Sequence, residues 1–413
     1  MEIFNFIGNA EQDLAASFNS YREIAYFNQA KILEAFKEHK VREDNFYPSS
    51  GYGYGDYARD SLELIYADIF GGEDALVRSQ IVSGTHAIAS CLLGLLQTND
   101  ELIAITGAPY DTLGKVIGKD NPMRSTLIGK GIVYKEVALD INGEPDLEGI
   151  KKALTNKTTM VFIQRSKGYS LRPALSIETI KILTDLVKSI NPATIVMVDN
   201  CYGEFVEEIE PPQVGVDITA GSLIKNPGGG LAPAGGYIIG QENLIEEISY
   251  YLTAPSLGKD LGASLLNSRW LYQGLFLAPH TVLQALQGVS LIAYLFDKYN
   301  YEIYPHWETK RADIVQAIKF KSANEVLEFC QIIQANSPVD SDVRLEYALL
   351  PGYSDDVVMA AGTFVQGSTI ELSCDAPLRE PYCAYLQGSL TYEHARYVAS
   401  QVHNWLVETN KGR

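Results

Sequence analysis

Basic residues are scarce in this chain of 413 residues: 33 Lys and Arg stand against 51 Asp and Glu, a formal net charge of −18. Nucleic acid and anionic membranes are bound through clustered cations that neutralise phosphate, so neither is an expected partner. Cysteine is scarce too, at five positions (Cys91, Cys201, Cys330, Cys374, Cys383). The number is odd and there is no CxxC or Cys/His ligand spacing, which argues against a disulfide framework and against a metal site, and fits a reducing cytoplasm. No apolar run approaches the ~20 residues that cross a bilayer. The opening MEIFNFIGNAEQDL lacks the basic flank and apolar core of a signal peptide. No GxGxxG, and no GxxxxGK followed by Ser or Thr, stands at a strand-to-helix turn, which removes the usual nucleotide-binding signatures.

What is present describes a soluble globular protein, with 46% apolar and 20% charged residues. The length exceeds one ordinary domain. Leu14, Phe18, Ile24, Ile32, Leu33 and Phe36 are spaced for a helix, so residues 1–50 read as an N-terminal helical arm. The glycines of SSGYGYGDYARD then force a loop. From about 61, helical stretches alternate with short apolar runs (IVSGTHA, ELIAITGAPY, TTMVFIQ, ATIVMVDN, AGGYIIG), the pattern of strands buried on both faces of a mostly parallel α/β sheet. Residues 51–275 are therefore expected to form a large α/β domain and 276–413 a smaller α+β domain. In the latter, His280 to Tyr299, Asp313 to Phe320 and Asn324 to Ala335 read as amphipathic stretches, TFVQGSTIELS as strand and LTYEHARYVASQVHNWLVE as a closing helix.

One constellation carries chemistry. Lys225, in GSLIKNPGGG, follows by 26 positions an aspartate, Asp199, that ends the strand-like IVMVD. A lysine able to form an imine and an acid able to hold a pyridine nitrogen protonated are the two protein groups that pyridoxal 5'-phosphate requires. Ser83, Gly84 and Thr85, between a strand and a helix, form a cup of N–H groups suited to a phosphate, and Ser222 stands three residues before the lysine. Tyr110 follows another strand-like run and could stack on a ring; His86 could face it as well. Taken singly, each has a plainer reading: a lysine beside a turn, an aspartate or serine capping a helix, a tyrosine or histidine in a core.

In order and spacing, GDYAR, VSGTHA, APYDTLG, MVDNCYG and GSLIKNPGG resemble the Cys/Met-metabolism pyridoxal-phosphate enzymes, the group of the methionine gamma-lyases and cystathionine lyases. GYGYGD, LIKNPGGGLAPAGGYI and DAPLREPYCAYLQGSLTYEHA look like the branch known as aluminium-resistance proteins. The resemblance runs over nearly all of the chain after about residue 45. It implies an aspartate-aminotransferase-like fold, pyridoxal 5'-phosphate as cofactor, and a homodimer or homotetramer with shared sites, in which Tyr57 and Arg59 reach the phosphate of the neighbouring subunit. It also implies Gly84, Thr85 and Ser222 at the phosphate, Tyr110 on the ring, Asp199 at the pyridine nitrogen and Lys225 as the imine lysine.

Two positions depart from the family pattern. Ile224 stands where a threonine usually precedes the lysine. Glu371, Leu372 and Ser373 stand where the family reads Arg-Leu-Ser, so the usual cation for the substrate carboxylate is missing, and Arg379 is the substitute expected here. The expected reaction is elimination of a sulfur substituent from an amino acid, with Lys225 as the base at Cα, its amine pKa lowered by burial and the cofactor, and Tyr110 as an acid. Transamination or aldol cleavage on the same fold remains an alternative, as does a non-catalytic protein of stress resistance.

Overall fold

The computed structural model describes residues 2–411 other than 266. Among them, β1 (Asp74–Arg78), β2 (Glu101–Ala104), β3 (Val133–Glu136), β4 (Thr158–Gln164), β5 (Ile195–Asp199), β6 (Ile218–Ser222) and β7 (Gly236–Gly240) form one sheet in the order β1-β7-β6-β5-β4-β2-β3. β6, β5, β4, β2 and β3 run parallel to one another, while β7 is antiparallel to both β6 and β1. A second sheet, β10-β11-β12-β13-β9-β8, is built from β8 (Glu302–Tyr304), β9 (Val315–Lys319), β10 (Ala348–Leu349), β11 (Asp356–Ala360), β12 (Ser373–Pro377) and β13 (Cys383–Gln387), all antiparallel. The helices are α1 (Glu2–Asp13), α2 (Ala15–Glu38), α3 (Tyr57–Phe70), α4 (Gly84–Leu95), α5 (Asp111–Ile117), α6 (Leu147–Ala153), α7 (Ile177–Ile190), α8 (Glu242–Leu252), α9 (Ser268–Lys298), α10 (Ala323–Ala335) and α11 (Tyr392–Lys411).

The first sheet is buried on both faces, which is why its strands read as unbroken apolar runs. In β5, Val196 and Val198 pack with Ile180 and Leu183 of α7, while Met197 between them packs with Ile88 and Leu92 of α4. A third core joins Phe18 and Ile32 of α2, Tyr66 and Phe70 of α3, much of α9, and the inner faces of α10, α11 and the second sheet.

The N-terminal stretch is helical, and its α2 packs along α9 and shares its core. Three expectations change. The boundary drawn at 275 falls inside α9, which runs unbroken for 31 residues across it. α9 is also long and apolar enough, by length and composition, to cross a membrane, contrary to the reading of the sequence; yet 72% of its most apolar window is buried inside the molecule, so packing consumes that surface. Finally, residues 315–319 of the Asp313 to Phe320 stretch form a strand, and TFVQGSTIELS is irregular up to Leu372, with β12 beginning at Ser373.

Candidate active site

The carboxyl ends of β4, β5 and β6 stop at Gln164, Asp199 and Ser222, where the next connections diverge, the position at which open α/β sheets bind ligands. A cavity of about 540 Å³ lies there, and Ser83, Gly84, Thr85, Tyr110, Asp199, Ser222, Lys225 and Arg379 all line it. Residues expected from segments up to 296 positions apart thus converge (379 − 83).

α4 begins with Ser83 as N-cap, whose Oγ accepts the His86 N–H at 3.0 Å. The N–H groups of Gly84 and Thr85 have no acceptor within the helix and open into the cavity, as a first turn dictates. Gly84 allows a close approach: a Cβ there would stand 3.1 Å from Ser222 Cβ and 3.4 Å from Cys201 Sγ, so Ser222 would have to give way by a few tenths of an ångström. The Ser222 side chain is buried and its hydroxyl faces the same space. Tyr110 caps α5, its N–H donating to Gln164 Oε1 at 2.9 Å and its hydroxyl lying 3.0 Å from Thr85 Oγ1.

Asp199 is buried; the Cys201 N–H donates to its Oδ1 at 3.1 Å. Burial raises its pKa, against the opposing hydrogen bonds from Cys201 and the charges of Lys225 and Arg172. Lys225 Nζ lies 3.3 Å from the centre of the Tyr202 ring. Tyr202 holds that ring in place from a left-handed backbone, φ 74°, a conformation rarely adopted outside glycine and concentrated at functional sites. The pKa of the Lys225 amine is set by opposing effects. Burial works to lower it, but Tyr202, Cys201 and Asp199 outweigh burial and hold the ammonium above its ordinary range.

Other expected site residues fall elsewhere. Tyr57 is exposed on the first turn of α3 and does not line this cavity. Arg59 is buried and donates to the carbonyls of Gly53 and Gly262, each at 3.0 Å, and pairs with Asp60. His86 is turned away, its Nδ1 accepting the Val82 N–H at 3.1 Å. Glu371, where the family has its arginine, is buried and accepts the N–H groups of Phe364 and Val365 at 2.8 and 3.0 Å, so it ties down a loop outside the cavity. Arg379 reaches the cavity rim with its guanidinium 2.8 Å from Asp355 and 3.5 Å from Asp111.

Sequence reasoning missed two buried cations. Lys167 donates to Val315 O at 3.0 Å and stands 3.5 Å from Asp313; Arg172 donates to Gln164 O, Ser166 O and Pro173 O. Burial lowers both, Arg172 to about 10. Both lie in QRSKGYSLRP, directly after β4, and their place at a strand's carboxyl end was the available signal. Asp375, Tyr353 and Tyr385, from the second sheet and its connections, complete the opposite wall.

This donor set fits pyridoxal phosphate: unpaired N–H groups and a hydroxyl for the phosphate, a buried carboxylate for the ring nitrogen, and a lysine between them. A family model for methionine gamma-lyase matches residues 3–406. The chain belongs to the methionine gamma-lyase family. Within the likeness, the uncharacterized protein YnbB of Bacillus subtilis (strain 168) is 49% identical over 387 residues, 94% of this chain and 92% of that one. The solved structure of a carbon-sulfur lyase involved in aluminum resistance from Clostridium novyi NT superimposes with a TM-score of 0.93 at 46% identity, covering 98% of this chain and 96% of that one. The pyridoxal-5'-phosphate dependent protein YhfS from Escherichia coli shares the fold, with a TM-score of 0.60 at 16% identity over 94% and 97% of the two chains. As a member of the methionine gamma-lyase family the chain is a pyridoxal-phosphate enzyme of the carbon–sulfur lyase kind, with the aminotransferase-like fold.

Proposed function

We propose that this chain eliminates a sulfur-bearing substituent from an amino acid, with the cofactor joined to Lys225. The observation that supports it is the meeting, in one cavity, of Lys225, the buried Asp199 and the unpaired N–H groups of Gly84 and Thr85. Bound there, pyridoxal phosphate supplies an electron sink for the charge that develops when Cα loses its proton. Gly84, Thr85 and Ser222 would hold its phosphate, Asp199 would keep its ring nitrogen protonated, and Tyr110 would stack on its ring. The Lys225 amine, released as the free base when the substrate's amino group takes its place on the cofactor, would take up the Cα proton, and the Tyr110 hydroxyl, kept protonated because burial raises its pKa well above 10, would give a proton to the departing sulfur.

The substrate carboxylate goes to the cationic side of the cavity. Arg379 is the candidate at the rim, since its ion pairs are partly exposed and exchange readily with solvent. The protein is further proposed to work in a reducing, cytoplasmic setting, in keeping with five buried free thiols, and as a homodimer or homotetramer.

The test is spectral. The purified wild-type protein, given pyridoxal phosphate, should show an imine absorbance that borohydride reduction fixes covalently on Lys225, and candidate thio-amino acids should perturb it while releasing keto acid, ammonia and thiol. A Lys225→Ala protein that still shows the imine band would refute the lysine assignment. Formation of a new amino acid in place of ammonia would mark transamination.

A further inference from the structure

We propose that the substrate's side chain carries a positive charge, an ammonium or a sulfonium, and that Asp375 selects it; this rests on the lyase reading and names the substrate class for that site. The cavity has two unlike ends. One is the phosphate cup of Gly84, Thr85 and Ser222, with Asp199 beside it. The other comes from the second sheet and its connections, so a substrate's side chain, pointing away from the phosphate, meets this wall. Asp375 stands in it. On β12, Cys374 and Ala376 turn into the small-domain core, and the two-residue period sends Asp375 to the opposite face, into the cavity.

The surroundings of Asp375 lack a lasting cation. Its Oδ2 accepts from Gln387 Nε2 at 3.2 Å, a neutral donor. The ammonium whose charge acts on it is that of Lys225, the group the cofactor claims. The other cations around the cavity have other partners: Lys167 has Asp313 and a carbonyl, Arg172 has three carbonyls, and Arg379 has Asp355 and Asp111 until the substrate carboxylate replaces them. Loading the cofactor therefore leaves a half-buried carboxyl group with an amide for partner; burial raises its pKa, and an arriving cation is what holds it ionised.

The wall beside it is aromatic. Tyr169 lies 5.9 Å from Tyr353 and 5.1 Å from Tyr385 between ring centres, and all three line the cavity. Aromatic faces stabilise organic cations while keeping water away, as Tyr202 already does for Lys225 in this same cavity. A neutral thioether side chain would satisfy none of this.

The experiment uses the full chain loaded with pyridoxal phosphate and three amino acids: L-methionine, with a neutral side chain; S-methyl-L-methionine, the same skeleton with a sulfonium; and S-(2-aminoethyl)-L-cysteine, a thioether with a distal ammonium and no second carboxylate. Both kcat/KM and binding by isothermal titration are measured for wild type, Asp375→Asn and Asp375→Glu. The wild type should favour one of the charged compounds over methionine, and which one assigns sulfonium or ammonium. Asp375→Asn should lower the charged-to-neutral ratio at least tenfold, and Asp375→Glu, which restores the charge, should recover it. Equal weakening of all three compounds by Asp375→Asn, or a wild-type preference for methionine, overturns the proposal. If nothing is turned over, the elimination reading fails by itself, and the binding ratios still decide the role of Asp375.

Discussion

Glu204 is a fully buried carboxyl group whose Oε1 accepts the Tyr237 hydroxyl at 2.7 Å while its Oε2 has no hydrogen-bond partner among the described residues. Burial pushes its pKa from an ordinary 4.5 up to about 8, against the lowering effect of the Tyr237 hydrogen bond. The folded protein thus holds this proton more tightly than the unfolded chain. The contribution of Glu204 to stability is full below the ordinary carboxyl value and is lost as pH rises through the window up to about 8, after which it is flat. Glu204→Gln keeps an acceptor for Tyr237 and cannot ionise. Urea unfolding at several pH values should show the wild type losing stability relative to Glu204→Gln across that window, by at most about 5 kcal/mol at 1.36 kcal/mol per pH unit. Parallel stability curves for the two proteins would mean that Glu204 ionises freely. The same scale explains why Lys225 was legible as a residue but its electrostatics were not. The lysine and Asp199 stand in local motifs, whereas Tyr202, which covers the amine, earns its place through a backbone angle that no sequence pattern announced.

The first turn of α4 is the element on which cofactor binding depends. Its open N–H groups and the positive end of its dipole face the cavity, and Gly84 lets Ser222 and Cys201 come close to it. Gly84→Ala should push the turn off Ser222 and weaken pyridoxal-phosphate binding about tenfold or more, while stability without cofactor falls by only about 1–2 kcal/mol. Ser83→Ala, which removes the cap on His86 N–H, should cost about 1 kcal/mol of stability. Cofactor titration and thermal unfolding of the apoproteins separate the two effects; unchanged cofactor affinity in Gly84→Ala would remove α4 from the phosphate site. Elements such as β4 and β5 were readable because burial on both faces leaves an apolar, β-branched run. β9 was not, since a five-residue segment with a buried Gln316 fits either period, and that glutamine is satisfied only by Arg311 and the carbonyls of Pro305 and Ala317. The opposite error at TFVQGSTIELS has a tertiary cause: Glu371 folds back onto the N–H groups of Phe364 and Val365, which takes the segment out of any ladder.

At the scale of the whole molecule, the chain holds its own phosphate cup, ring acid and lysine but not Tyr57 and Arg59, the pair that the family resemblance directs to a neighbour's phosphate. Asp56, Arg59 and the glycine-rich loop before them are tied to residues 260–264: the Gly262 N–H donates to Tyr52 O, the Ser264 N–H to Asp56 Oδ2, and Arg59 to Gly262 O. This fixes Tyr52, Tyr54 and Tyr57 as a rigid, exposed set, with relative exposures of 72%, 63% and 52%. Arg59 is spent on carbonyls of its own chain, so Tyr57 is the residue of the pair free to reach another subunit. A second copy supplying the Tyr57 hydroxyl would complete the cup, and cofactor affinity would then depend on association. Sedimentation should find a dimer or tetramer; dilution below its dissociation range should release pyridoxal phosphate, and Tyr57→Phe should weaken cofactor binding several-fold without changing the assembly. The decisive measurement mixes Tyr57→Phe with Lys225→Ala subunits. If sites are shared, each mixed dimer has one defective site carrying both changes and one site with Lys225 and a neighbour's Tyr57 intact, so tight cofactor binding returns to a fraction of the mixture. Binding that merely averages the two parent proteins would place Tyr57 outside the neighbouring site.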